Sequence, residues 1–298
     1  MRILLPFGRN YWFNSRIIFF MKKLLIALLI IFGAFIGVVT LMEALMLLAP
    51  EWMGSTSGLL FMQGLQTILL FGLTAVVGIW VAERKNPLRL MALDRTVSVS
   101  QGLIVFCFAV AALPSITWLA EWNKGLELPS FLSSLEAQMQ AMEEAARVLT
   151  ERFLQTSSVG MLFVNLFVMA FLPALCEEMM FRGWLQRRLS SSVNIHVAVW
   201  VSAFVFSAIH FQFYGFVPRM LIGAALGYMY YYTGSLWAPI LAHFVNNAAA
   251  VLVAFVSYNG LVAFDFERLG TGDTWYVSVA ALAVCVVLMS RLARGRDL

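Results

Sequence analysis

Apolar positions run through this chain in long blocks, near 24–48, 58–82, 98–120, 158–178, 195–213, 216–233, 236–258 and 275–291. A helix needs roughly 20 such residues to cross a hydrocarbon core of about 30 Å, so the blocks predict about eight transmembrane helices. Residues 131–154 differ. They are polar overall, but Leu132, Leu135, Met139, Met142, Ala146, Leu149 and Phe153 recur at three- and four-residue steps, which is one apolar stripe on a helix. Ser133 and Glu136 stand at the spacing of a capping box for its start. This helix is expected on the membrane surface or packed over the bundle, with a partner-binding coiled coil as the alternative. The expected fold is all-α: a polytopic membrane helix bundle with one amphipathic surface helix.

Composition agrees. Of 298 residues 61% are hydrophobic and 12% charged, outside the balance of a soluble domain. Lys and Arg mark the cytoplasmic loops of membrane proteins. Arg2, Arg9, Arg16, Lys22 and Lys23 precede the first block, and Arg84, Lys85, Arg89 and Arg95 follow the second. Arg182, Arg187 and Arg188 follow the fourth, and Arg291, Arg294 and Arg296 close the chain. Both termini are therefore expected in the cytoplasm, with 121–157 on the other side. The net charge of +4 reflects topology and not nucleic-acid binding. The chain is expected to divide into 1–23 (a cytoplasmic segment in which "MKKLLIALLI" at Met21 reads as a natural membrane-protein start), 24–120 (three spans), 121–157 (the amphipathic loop), 158–258 (a core rich in polar motifs) and 259–298 (a last loop and span). The first apolar run reaches Leu48 without a small-residue cleavage site, which favours an uncleaved helix over a signal peptide. Cys107, Cys176 and Cys285 have no metal-type spacing, and a buried Cys176 thiol beside Glu177 would be inert rather than nucleophilic.

Charged groups inside a bilayer are expensive and usually face a bundle interior or a watery cavity. Here they cluster as Glu177, Glu178 and Arg182 in "LCEEMMFRGW", His210 in "FVFSAIHF", and His243 with Asn247 in "LAHFVNNA". Glu178 and Arg182, four apart, share a helix face and can neutralise each other. Glu177, about 100° around the helix, is left for chemistry. His243 and Asn247 also share a face. At 1.5 Å per residue, Glu177 and the His243–Asn247 pair reach similar depths of about 10–16 Å. His210 lies about 22 Å from Ile195, which requires the fourth and fifth helices to project beyond the bilayer. If the groups meet, Glu177 with His210 activates water, and His243 and Asn247 stabilise the oxyanion formed at a peptide carbonyl. Zinc held by Glu177, His210 and His243 is the alternative. It would consume the base, so the metal-free arrangement is expected.

The ordered trio "EEMMFR" (177–182), "FSAIH" (206–210) and "HFVNN" (243–247) resembles the motifs of the CPBP family, also called Abi or CAAX prenyl protease type II, over roughly 158–258. The resemblance implies an intramembrane endopeptidase. Glu177, His210, His243 and Asn247 would be catalytic, with Glu178 and Arg182 supporting them. A site reachable from the cytoplasmic half suggests a hydrophobic or lipid-linked peptide substrate, and the expected place is a bacterial inner membrane. Two rivals share these features. A proton-coupled transporter also uses intramembrane Glu and His, although the two halves of this chain show no repeat. A non-catalytic bacteriocin-immunity or scaffold protein could carry the same motifs.

Overall fold

The computed structural model describes residues 8–83 and 86–295. Arg2, Arg84, Lys85 and Arg296, four of the orienting cations, lie outside them. Among the described residues there is no strand. The principal helices are α1 (Gly8–Leu48), α2 (Thr56–Val81), α3 (Val99–Lys124), α4 (Ser133–Leu154), α5 (Val159–Ser190), α6 (Ile195–Ala208), α7 (Phe216–Thr233), α8 (Trp237–Tyr258) and α9 (Trp275–Arg294).

All eight expected spans are helical, but not all are of spanning length. Among the described residues six helices are long and apolar enough to cross a membrane: those within α1, α2, α3, α5, α8 and the last helix. α6 has 14 residues, about 21 Å, and α7 has 18. The turn that joins this short pair meets the end of α3 through Asn123 and α4 through Gln140. α5 is longer than its apolar block. Its 32 residues extend about 48 Å, because the polar stretch 178–190 buries its side chains against neighbouring helices.

α5 packs against α2 and α7 at close range. A Cβ on Gly78 would fall 2.5 Å from the Trp184 ring, so only a residue without a side chain lets α2 approach. Gly227 does the same for α7, where a Cβ would fall 2.6 Å from Gln186 Oε1, and Gly223 lets α7 approach Phe206 and Ala203 of α6. The buried carbonyls of Gly223 and Gly227 accept, respectively, from Arg182 Nη2 at 2.8 Å and Gln186 Nε2 at 3.0 Å. Met179–Gln186 is wound as a π-helix, with i to i+5 bonding that often marks functional sites. Trp184, Phe181, Met180, Leu185 and Met91 form the centre of the core.

α4 lies across the end of the bundle away from the basic loops. Arg152 donates to Gly54 O at 2.9 Å, Gln140 bonds the Tyr214 hydroxyl at 3.0 Å, and Asn165 of α5 donates to Phe153 O at 2.7 Å. This is the packed-over-the-bundle arrangement. The stripe divides: Leu132, Met139, Ala146 and Phe153 turn inward, while Leu135, Met142 and Leu149 stay exposed. The expected capping box is absent. A 3₁₀ turn, Ser130–Leu132, runs straight into the helix, so Ser133 is already helical, and Glu136 accepts from Leu128 N instead.

Candidate functional site

Glu177, Glu178, Arg182, His210 and His243 converge where α5, the turn after α6, and α8 meet. Glu177 and Glu178 end the α-helical part of α5, just before its π-helical turns. His210 lies two residues past the end of α6, and His243 is on the second turn of α8. Glu177 Oε2 stands 3.9 Å from His210 Nε2 and 3.9 Å from His243 Nε2. The long extension of α5 resolves the mismatch in depth that the sequence left for His210.

Glu178 and Arg182 form the expected pair at 2.6 Å, with both side chains fully buried. Glu178 Oε1 also accepts from His243 Nδ1 at 2.8 Å. Arg182 therefore has Glu178 on one side and the Gly223 carbonyl on another, and its guanidinium lies 4.6 Å from the Phe206 ring, a favourable cation–π distance. The same ring meets His210 edge-on at 5.2 Å and His243 at 6.0 Å. Phe206 opens the second motif but was not read as a site residue, because an apolar residue on an apolar helix carries no local signal.

The hydrogen bonds fix how both imidazoles face Glu177. His210 Nδ1 bonds Phe206 O at 2.7 Å, and a carbonyl only accepts, so Nδ1 carries the proton. His243 Nδ1 likewise faces a carboxylate oxygen. In its neutral form each ring turns an Nε2 lone pair toward Glu177. An acceptor thus faces two acceptors across 3.9 Å, an arrangement that a bridging water, with two protons to give, completes. His243 can donate from Nε2 only when both its nitrogens are protonated. That condition on its oxyanion role was not visible in the sequence.

Asn247 lies on α8 four residues beyond His243. Its Oδ1 accepts from Asn246 Nδ2 at 3.3 Å, so its own amide protons stay available. Arg219 at the start of α7 was missed. It bonds Gln212 Oε1 at 2.7 Å, on the turn that carries His210. Cys176 is buried beside Gly72, a packing role. Among the described residues no group of three or more His, Cys, Asp and Glu is gathered to hold a metal ion. A cavity of about 940 Å³ runs between α3 and α8, with Ala250, Val253 and Ala254 on its wall and Asn246 reaching it.

Residues 159–249 match the family described as Type II CAAX prenyl endopeptidase Rce1-like. Over 88 residues, 28% of this chain, the sequence is 34% identical to the uncharacterized protein YpbD of Bacillus subtilis (strain 168), and the matched stretch spans 42% of that protein. The chain thus covers less than half the length of this curated relative. No solved structure matches. The motif resemblance stands over this core, and with six helices of spanning character the chain is an integral membrane protein.

Proposed function

We propose, taking the match of the core to the Rce1-like endopeptidases as premise, that this protein is an intramembrane endopeptidase that hydrolyses a peptide bond in a hydrophobic or membrane-associated peptide. The observation that carries the reading is Glu177 Oε2, nearly buried, 3.9 Å from two imidazole Nε2 atoms whose other nitrogens are tied down.

Water held between Glu177 and His210 gives a proton to the Glu177 carboxylate as its oxygen attacks the scissile carbonyl carbon. The carbonyl oxygen takes up the negative charge and is met by Asn247 Nδ2–H and by His243 Nε2–H. For this His243 carries both ring protons, with Glu178 as counter-ion. As the tetrahedral centre collapses, the proton on Glu177 passes to the leaving nitrogen and the C–N bond breaks, giving a new carboxyl and a new amine. Arg182 serves the reaction at one remove by fixing Glu178.

The tied-down Nδ1 atoms also favour a zinc-dependent second reading, since metal-bound histidines are held the same way by their outer nitrogen. Glu177, His210 and His243 would hold the ion only after closing in from their 3.9 Å separations, at which they do not form a ready metal group. The ion would supply a water ionised near neutral pH.

The cavity beside Asn246, with Ala250, Val253 and Ala254 on its wall, supports a substrate drawn from the bilayer, and the basic loops support cytoplasmic termini. Substrate trapping tests the reading: Glu177→Gln expressed in membranes retains uncleaved peptides that wild type does not. If no peptide accumulates relative to wild type, the non-catalytic scaffold reading takes its place.

A further inference from the structure

His210 is carried by a turn with little regular structure of its own. α6 ends at Ala208 and α7 begins at Phe216. Between them Phe211 adopts a left-handed φ of 53°, a conformation that a bulky residue holds only where its surroundings impose it. Phe211 is itself largely exposed, so the constraint comes from elsewhere.

The Ser207 hydroxyl donates to Phe216 O at 2.7 Å across the turn, and a second constraint comes from α3, ninety residues away in sequence. Asn123, one residue from the end of that helix and 1% exposed, uses both ends of its amide on the turn. Its Nδ2 donates to Phe213 O at 3.0 Å and its Oδ1 accepts from Val217 N at 2.9 Å. The amide thus straddles Phe213–Val217, the segment that returns the chain from His210 to α7. Arg219 holds Gln212 from α7, and Gln140 of α4 holds the Tyr214 hydroxyl. The Gln140 bond is the more exposed of the two. The one fixed bond of the His210 ring goes back to Phe206 O; it sets the tilt of the ring, while the turn sets its position.

We propose that Asn123 is a positioning residue for His210, clamping the turn so that Nε2 stays at bridging-water distance from Glu177; the proposal rests on the peptidase reading of that site. Hydrogen-bond geometry around an activated water is demanding, and a misplacement of about 1 Å can cost on the order of 10²-fold. Asn123→Ala should therefore lower kcat about 10²-fold per folded molecule, with KM changed less than about twofold, because substrate binding is not what it alters. Asn123→Asp keeps an acceptor for Val217 N but loses the donor to Phe213 O. It should fall between the two.

The test is run on the full-length chain in nanodiscs. Kinetics use a fluorogenic apolar peptide that the wild type cleaves, and the histidine rings are labelled at Cε1. The chain has three histidines, so their signals can be assigned by substitution. Asn123→Ala should shift or broaden the His210 signal and leave that of His196, whose ring is bonded to Tyr228 at the other end of α6, in place. An unmoved His210 signal, or equal disturbance of all three rings with loss of the folded state in both variants, would overturn the proposal. The ring signals are read without turnover. Failure of the peptidase reading, seen as no cleavage by wild type, therefore stays distinct from failure of the Asn123 assignment.

Discussion

Arg182 offers the sharpest energetic prediction. Its guanidinium is 1% exposed, 2.6 Å from a Glu178 carboxylate that is itself fully buried. Arg182→Met keeps much of the side-chain volume but leaves that carboxylate with only His243 as partner and the Gly223 carbonyl without its extra donor. Breaking a buried pair from one side costs about 3–5 kcal/mol, a change of two to more than three powers of ten in the folded-to-unfolded ratio at about 1.4 kcal/mol per factor of ten. Glu178→Gln breaks the pair from the other side and should cost a similar amount. The double variant removes both charges yet keeps an amide oxygen for His243 Nδ1–H, so it should return to within about 1–2 kcal/mol of wild type, since replacing both partners is often nearly neutral. Reversible unfolding in mixed micelles measures all four corners of the cycle. The reasoning is refuted if Arg182→Met loses less than about 1 kcal/mol, or if the two single losses simply add in the double variant.

Other expectations concern packing, the roof helix and metal. Gly227→Ala would place a methyl 2.6 Å from Gln186 Oε1 and 3.0 Å from Val199, so a loss of about 1–3 kcal/mol is expected in the same unfolding assay. Met139→Asp buries a charge under α4 and should loosen 131–154 in hydrogen exchange while leaving hydrolysis in place. Met142→Asp, on the exposed row, should stay within about 0.5 kcal/mol of wild type. Extended chelation should leave activity intact, with substoichiometric zinc by elemental analysis. Stoichiometric zinc lost in His243→Ala, with activity restored to chelated wild type by zinc, would establish the metal-dependent form. Labelling of single cysteines at Ser133 and Ser190 should report opposite faces of the membrane.

Much of this site could be read from the sequence, because its main parts are local patterns. Glu178 and Arg182 are a turn apart, His243 and Asn247 are a turn apart, and a charge inside an apolar block stands out against its neighbours. What could not be read depends on distant contacts. Asn123 bonds residues 90 and 94 positions away, and nothing near it in sequence distinguishes it from a solvated loop residue. Phe206 is central only because Arg182 of α5, His243 of α8 and His210 of the turn after α6 lean on its ring. The polar stretch 178–190 looked like the end of a span. Its burial against α2 and α7 follows from Gly78, Gly223 and Gly227, whose meaning appears only when the helices are brought together. Ser133 and Glu136 had the right spacing for a cap, but Pro129 and the 3₁₀ turn after it moved the helix start.

The central claim is that Glu177 takes the proton of the attacking water. Its most direct test is the cleavage rate of a fluorogenic apolar peptide by Glu177→Gln in nanodiscs, a substitution that keeps the shape of the side chain and removes its basicity. With folding verified by an unchanged unfolding midpoint, the account predicts a loss of about 10²-fold or more in kcat, the usual contribution of a general base. A Glu177→Gln enzyme that cleaves within about threefold of the wild-type rate, well short of that contribution, would contradict it.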